Sequence, residues 1–231
     1  MQQLADRRIR LLTAAITLAV LVSGLSGIPL HMAHGMVPGH RTNAPAHSLD
    51  ASGSEAGGGV YADTTWTKQG SPYVLTDKVV VFPSVTLRID PGVEVRSRGW
   101  GIEVRGKLLA IGNSTQHITF TAESERLGRG GWGGVRIVTL DGGSGDFQFT
   151  DFSYAYKALS IEAGSSVQQG QNAPPTFVRD STFRHNEVGI MGDSLAPTTI
   201  ERSVFQFNEK GAWADGRRVF CKSRCLDTLR S

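Results

Sequence analysis

The sequence predicts an all-β chain wound as a single parallel β-solenoid. Two features carry that expectation before any motif is considered. From residue 61 onward, short runs of β-branched and aromatic residues alternate with Gly, Asp, Asn and Ser, and no segment there shows the 3.6-residue apolar period of a helix. Near the C-terminus, a 22-residue repeat then separates a solenoid from a sandwich or a barrel.

The strand candidates follow in order. Val79 to Phe82 is an apolar run, and Val85-Thr-Leu-Arg-Ile-Asp90 places Val85, Leu87 and Ile89 on one face. Pro91-Gly92 turns the chain, and Val93-Glu-Val95 resumes it. Ile102 to Val104, Leu108 to Ile111, Ile118 to Phe120 and Val135 to Ile137 continue at similar spacing.

The repeat aligns Val178-Arg-Asp-Ser-Thr-Phe-Arg-His-Asn-Glu-Val-Gly-Ile190 with Ile200-Glu-Arg-Ser-Val-Phe-Gln-Phe-Asn-Glu-Lys-Gly-Ala212. Ser181/Ser203, Phe183/Phe205, Asn186/Asn208, Glu187/Glu209 and Gly189/Gly211 coincide. A fainter copy at 149–161 puts Tyr154 in the Phe place and Lys157 in the Asn place, with residues 164–175 as a protruding insert. One strand–turn–strand–turn coil per repeat explains the pattern, because a coil cannot bury its few inward side chains alone. Stacking at about 4.8 Å then sets like residue on like. Tyr154, Phe183 and Phe205 are expected to form an inward aromatic ladder, and Asn186 over Asn208 an amide ladder in a turn. Gly189 and Gly211 are expected to supply positive φ at the next corner.

Composition bounds the function. The chain has 231 residues, 39% hydrophobic and 19% charged, with 28 glycines and two cysteines. That excludes a disulfide-dense scaffold and a chain disordered throughout. The formal charge is +3, but 61–215 carries 15 basic and 17 acidic residues, so the basic excess lies in the tails. A nucleic-acid face is not expected.

The N-terminal 30 residues read as an address. Arg7, Arg8 and Arg10 precede a charge-free apolar stretch, 11–30. It suits a cleavable signal peptide, with small residues at Ser23, Gly24, Ser26 and Gly27, or an uncleaved signal anchor. Residues 31–60 read as a disordered linker, and its four histidines as solvated linker residues. The solenoid is placed at 61–215 and a basic tail at 216–231. That tail is too short and polar to cap the last coil well, so exposure is expected around Phe205 and Trp213.

Several motifs are singled out. Asn113-Ser-Thr115 is a glycosylation sequon. Cys221 and Cys225 are placed to form a local disulfide in an oxidising compartment. The glycine-rich run at 128–134 reads as a turn between coils, since it lacks the Lys-Ser/Thr of a phosphate loop. Trp66, Trp100, Trp132 and Trp213 read as plugs at coil ends. For catalysis, Asp180 with Arg179, the Arg184-His185 pair, and an Asp151/Asp180 pairing one coil apart are the best candidates. Asp180 maps onto Arg202 in the next coil, which reads as a charge ladder, so no catalytic residue, cofactor or metal is assigned.

The run from Trp66-Thr-Lys-Gln-Gly-Ser-Pro-Tyr73 through Val85-Thr-Leu-Arg-Ile-Asp-Pro-Gly-Val93, Gly106-Lys-Leu-Leu-Ala-Ile-Gly112 and Ile118-Thr-Phe-Thr121 to Trp132-Gly-Gly-Val-Arg-Ile137 resembles the opening coils of extracellular pectin-lyase-like proteins. It is similar in particular to the β-helix units of the bark beetle junction protein family. The resemblance implies one right-handed parallel β-helix of six or seven coils. It also implies a non-catalytic role in cell-surface recognition or adhesion, at cell junctions, with an extracellular protein or glycan as partner. Membrane contact would run only through the N-terminal segment, and end-to-end self-association would cover exposed coils. The alternatives are a polysaccharide lyase or hydrolase of the same type, and a truncated structural solenoid. That family's members are larger, with further modules after the repeats.

Overall fold

The structure, a computed structural model, describes residues 53–162, 173–192 and 197–214, with the backbone of 217–218 and 226–228. The predicted leader (1–30), the 164–172 part of the insert, and Cys221 with Cys225 lie outside the described residues. Most of the predicted linker lies outside them too. Its last residues do not, and they correct the expectation. Ser54–Val60 forms strand β1, parallel to β3 (Tyr73–Val81), with a register shift between Ala56 and Gly58 where Gly58 takes φ 77°.

The described residues are all-β, with short 3-10 turns as the only helical pieces. After β1, the chain runs through β2 (Thr64–Trp66) and β3, then repeats a three-strand cycle. Next come β4 (Thr86–Ile89), β5 (Glu94–Ser97) and β6 (Gly101–Val104), followed by β7 (Lys107–Ile111), β8 (Ile118–Ala122) and β9 (Gly134–Val138). The cycle continues with β10 (Ser144–Gln148), β11 (Thr150–Ser153) and β12 (Lys157–Glu162), and with β13 (Thr176–Arg179), β14 (Thr182–Arg184) and β15 (Val188–Gly192). It ends with β16 (Thr198–Glu201), β17 (Val204–Gln206) and β18 (Lys210–Ala214), then β19 (Arg217–Arg218) and β20 (Leu226–Thr228).

Each strand pairs with its counterpart one cycle away. β2, β4, β7, β10, β13 and β16 make a six-stranded parallel sheet, column one. The other strands make a 14-stranded sheet that folds at β3. Tyr73 to Leu75 leads column two (β5, β8, β11, β14, β17, β20), and Val79 to Val81 leads column three (β6, β9, β12, β15, β18). The parallel strands thus form a nearly closed, curled wall, compatible with a β-helix. There are three strands per coil rather than the expected two, because the chain enters a further strand after each column-two strand, by a short turn in most coils and by a long connection between β8 and β9.

The core is a set of ladders. Column one stacks Trp66, Ile89, Ala110, Phe147, Val178 and Ile200 inward. Column two stacks Tyr73, Val95, Phe120, Phe152, Phe183 and Phe205. Column three stacks Val79, Ile102, Val135, Leu159, Ile190 and Ala212. Rings 120, 152, 183 and 205 lie face to face, with centroids 4.9, 4.9 and 5.0 Å apart, which is the spacing of the strands that carry them. At the first coil, Trp66 and Tyr73 stack at 4.7 Å and close the core.

The aromatic ladder is therefore real, but one member differs from expectation. Phe152, not Tyr154, faces Phe183, an offset of 31 residues rather than 29. Two residues more of insert than the sequence alignment allowed account for the shift. Ala155, not Lys157, takes the Asn position: its N–H donates to Asn186 Oδ1 at 2.8 Å.

The glycines are corrected as well. Gly189 and Gly211 lie inside β15 and β18, and positive φ falls elsewhere. Gly189 is needed for close approach instead, since a Cβ there would sit 2.7 Å from Gly211 O and 2.9 Å from Phe205 Cδ1. The last coil is not bare: β20 extends column two beyond β17, β19 runs antiparallel to β18, and Phe205 is 3% exposed. Even a polar tail offers backbone N–H and C=O groups to an open strand edge. Trp66 and Trp132 are buried, whereas Trp100 is exposed.

The register yields a discriminating test. Phe152→Ala should lower unfolding free energy by about 3–5 kcal/mol, the usual cost of emptying a buried aromatic site. Tyr154→Ala should cost under about 1 kcal/mol. Urea unfolding followed by circular dichroism measures both, and equal losses would contradict the register.

Candidate functional site

Two corners organise the surface. Where column one passes to column two, Phe149, Asp180 and Arg202 take positive φ (48°, 52° and 45°). Each is followed by a buried hydroxyl residue, Thr150, Ser181 or Ser203. Ser181 Oγ donates to Arg179 O (2.7 Å) and accepts Thr150 N–H (3.2 Å). Ser203 Oγ donates to Glu201 O (2.9 Å) and accepts Ser181 N–H (3.3 Å). Where column two passes to column three, Tyr154, His185 and Phe207 take positive φ (60°, 55° and 56°).

The predicted amide ladder follows this second corner. Asn208 Oδ1 accepts the N–H of Asn186 at 2.9 Å. Asn186 Nδ2 donates to Asn208 Oδ1 (3.0 Å) and Phe152 O (3.2 Å), and Asn208 Nδ2 donates to Phe183 O (2.8 Å). A left-handed non-glycine residue costs roughly 1–2 kcal/mol. These inter-coil bonds hold it in place. They make Asn186 and Asn208 structural.

Tyr154, displaced from the core, joins an outer ladder. Its ring stacks on His185 at 5.6 Å, and His185 stacks on Phe207 at 5.1 Å. This ladder borders a groove of about 290 Å³ on the outward face of column two. The outward row Arg96, Thr121, Ser153 and Arg184 crosses β5, β8, β11 and β14. Four adjacent strands span about 14 Å along the stacking direction. Ser153 and Thr121 share a hydrogen bond at 2.9 Å on the floor. Glu94 and Thr119 flank that row, and Glu123, Glu125 and Tyr154 form the wall.

The wall is built by the 3-10 turn Glu125–Leu127, with Ser124 Oγ accepting Arg126 N–H, in the long connection from β8 to β9. The glycine-rich run at 128–134 belongs to this connection, so it turns the chain within one coil rather than between coils. From there Arg129 reaches within 3.7 Å of Glu209, three coils on.

Most of the groove's charges are already matched. Arg96 forks onto Glu94 (2.9 and 2.9 Å), and Arg98 meets Glu123 at 2.6 Å. Burial, then the facing Glu125 carboxylate, raise the Tyr154 phenol above its ordinary 10.0, while Arg184 pulls the other way. Arg184 is exposed and, among the described residues, its side chain makes no hydrogen bond or ion pair. A guanidinium, hydroxyls and a carboxylate thus converge on one channel. That arrangement suits a polar, extended ligand bearing an anionic group.

The other candidates are placed differently. Asp151 lies opposite Thr182 and pairs with His117 Nδ1 at 3.0 Å, so it does not meet Asp180. The one-residue corner between β10 and β11 sets Asp180 beside Phe149's place instead. Asp180 is forked by Arg202 (2.6 and 2.8 Å), the charge ladder read from the repeat. Arg179 pairs with Asp146 at 2.6 Å. On column three, Arg105, Lys78 and Arg136 converge on the buried Glu103. Burial works to raise that carboxyl, but Arg105 and Lys78 outweigh it and hold it below its ordinary 4.5. Each of its oxygens is taken, so this cluster ties coils together.

Sequence reading missed the groove. Arg96, Thr121, Ser153 and Arg184 are spaced by 25, 32 and 31 residues, because connections of different length intervene. Only the outward parity of the column-two strands hinted at them.

The Asp180–Arg202 fork gives a pH-dependent outcome. Arg202 lowers the Asp180 carboxyl below its ordinary 3.8. The fork therefore stabilises the fold above that value, and its contribution is lost as pH falls through the depressed one. Carboxyl NMR titration should find Asp180 below 3.8, and Arg202→Gln should return it towards 3.8, with the accompanying loss of stability present at pH 7 and absent in acid. An unchanged titration in the variant would contradict the assignment. Compared with family models, curated proteins and solved structures, the chain matches none.

Proposed function

We propose that this chain is an exported, non-catalytic recognition module. In this reading it is a right-handed parallel β-helix of the pectin-lyase-like type, acting at the cell surface in adhesion, with the column-two groove as its binding face. Right-handedness follows the general rule for connections between parallel strands. The charge-free stretch 11–30 behind three arginines supports export, by signal peptide or anchor.

One observation carries the assignment of the groove. It runs along the stacking direction, so its floor repeats with the rungs, and a linear ligand lying there meets similar groups at regular intervals. Thr119, Thr121 and Ser153 offer hydroxyls, and Arg184 offers a guanidinium with no ion pair among the described residues. Hydroxyl floors and guanidinium forks recognise glycans bearing acidic groups. A glycan is therefore favoured over a protein as the extracellular partner. The lyase or hydrolase reading needs a base or a pair of acids free to act; Glu94 and Glu123 are held by arginines, which leaves Glu125, facing Tyr154, without a second acid to pair with among the described residues of the groove.

A glycan array that includes uronic-acid polymers tests this on the full chain, with absorbance followed for unsaturated products. Binding to an acidic glycan is expected, and Arg184→Ala should weaken it about tenfold or more, the worth of one charged hydrogen bond. Product formation would overturn the non-catalytic reading. Silence across the array would overturn the glycan reading and leave protein adhesion.

A further inference from the structure

We infer that Asn113 is an N-glycosylation site whose attached sugar stands on the corner between columns one and two. The inference rests on the export proposed above. The chain has five asparagines, and only Asn113 is followed by the X-Ser/Thr pattern, as Asn113-Ser-Thr115.

The structure adds what the motif cannot. Asn113 to Gln116 form a tight turn between β7 and β8, and all four residues are exposed. Asn113 N–H donates to Gln116 O, and Gln116 N–H to Asn113 O, both at 3.1 Å. The side-chain Oδ1 accepts from Thr115 N–H (3.0 Å), Thr115 Oγ1 (2.8 Å) and Gln116 N–H (3.0 Å). Every one of these partners lies within three residues, so the turn can form before the coil around it has folded.

The carbonyl end of the side chain is thus fully used, and the amide end is not. Asn113 Nδ2 makes no hydrogen bond among the described residues. Asn186 and Asn208 are the opposite case: both are buried, and their Nδ2 groups hold neighbouring coils together. A sugar on Asn113 Nδ2 breaks no native bond and enters no packed space.

The chemistry is a transfer without redox change. The Asn113 Nδ2–C1 bond forms as the C1–O bond to a lipid-linked oligosaccharide pyrophosphate breaks. Nδ2 loses a proton, and the lipid pyrophosphate leaves. The Thr115 hydroxyl beside Oδ1 is the group whose loss should abolish the transfer.

Translation of the full chain with eukaryotic microsomes tests this with two readouts. Protease protection reports translocation. A single mobility step, removed by an N-glycan amidase that leaves Asp at position 113, reports modification. The step is expected in the natural chain and absent from Asn113→Gln and Thr115→Ala. Protection without the step would overturn the site. Absence of protection would overturn the export reading alone. In that event the chain carrying a standard cleavable leader in place of residues 1–30 decides the site, and no step there would overturn it.

Discussion

Parallel strands one rung apart are held by their backbone hydrogen bonds at about 4.8 Å, and the rest of this molecule is fitted to that distance. Planar rings stack well at nearly the same spacing. Phe120, Phe152, Phe183 and Phe205 can therefore sit face to face without disturbing the ladder, at 4.9 to 5.0 Å. The same distance suits an amide reaching from one coil to the next, as Asn208 does to Asn186. It also suits a hydroxyl doing so, as Ser203 does to Ser181. Side chains that could not repeat at this interval would have to leave the wall.

The corners show how the cost of winding is met. Three non-glycine residues at each of two corners take left-handed backbone, while Gly92 and Gly99 do so at the corresponding corners of the β4–β6 coil. Phe149, Arg202 and Phe207 are unusual there, because a Cβ crowds the following carbonyl. Directly after most of them stands a buried Ser, Thr or Asn whose side chain bonds to the preceding coil. Strain and its restraint are thus adjacent in sequence. Gly189 has a different task, where the backbone must pass close to Gly211 and the Phe205 ring.

The proposed binding face lies on the outside of the same lattice. Inward positions must be alike from coil to coil, whereas outward ones are free to vary. Column two uses that freedom to place Arg96, Thr121, Ser153 and Arg184 in one row. The connection from β8 to β9 then supplies a wall, so an otherwise flat face becomes a groove. The rungs give the groove its direction, and the irregular connection gives it depth.

Periodicity in the sequence determined the strands, the all-β class and the identity of the ladders with regular spacing. Phe183 over Phe205, Asn186 over Asn208 and Asp180 beside Arg202 are all separated by 22 residues, and an unbroken repeat can be aligned by eye. Where connections vary in length, the same method fails. The repeat alignment puts Tyr154 in the core because an insert hides a two-residue shift, and along a strand two residues return to the same face without changing parity. Only the pairing of β11 with β14 shows that Phe152 belongs there. The third strand of each coil, the pairing of the tail with the last coil, and the groove were likewise decided by tertiary structure. Apart from the local pairing of β19 with β18, each depends on which residues meet across 22 to 33 positions of chain, and local pattern does not encode that distance.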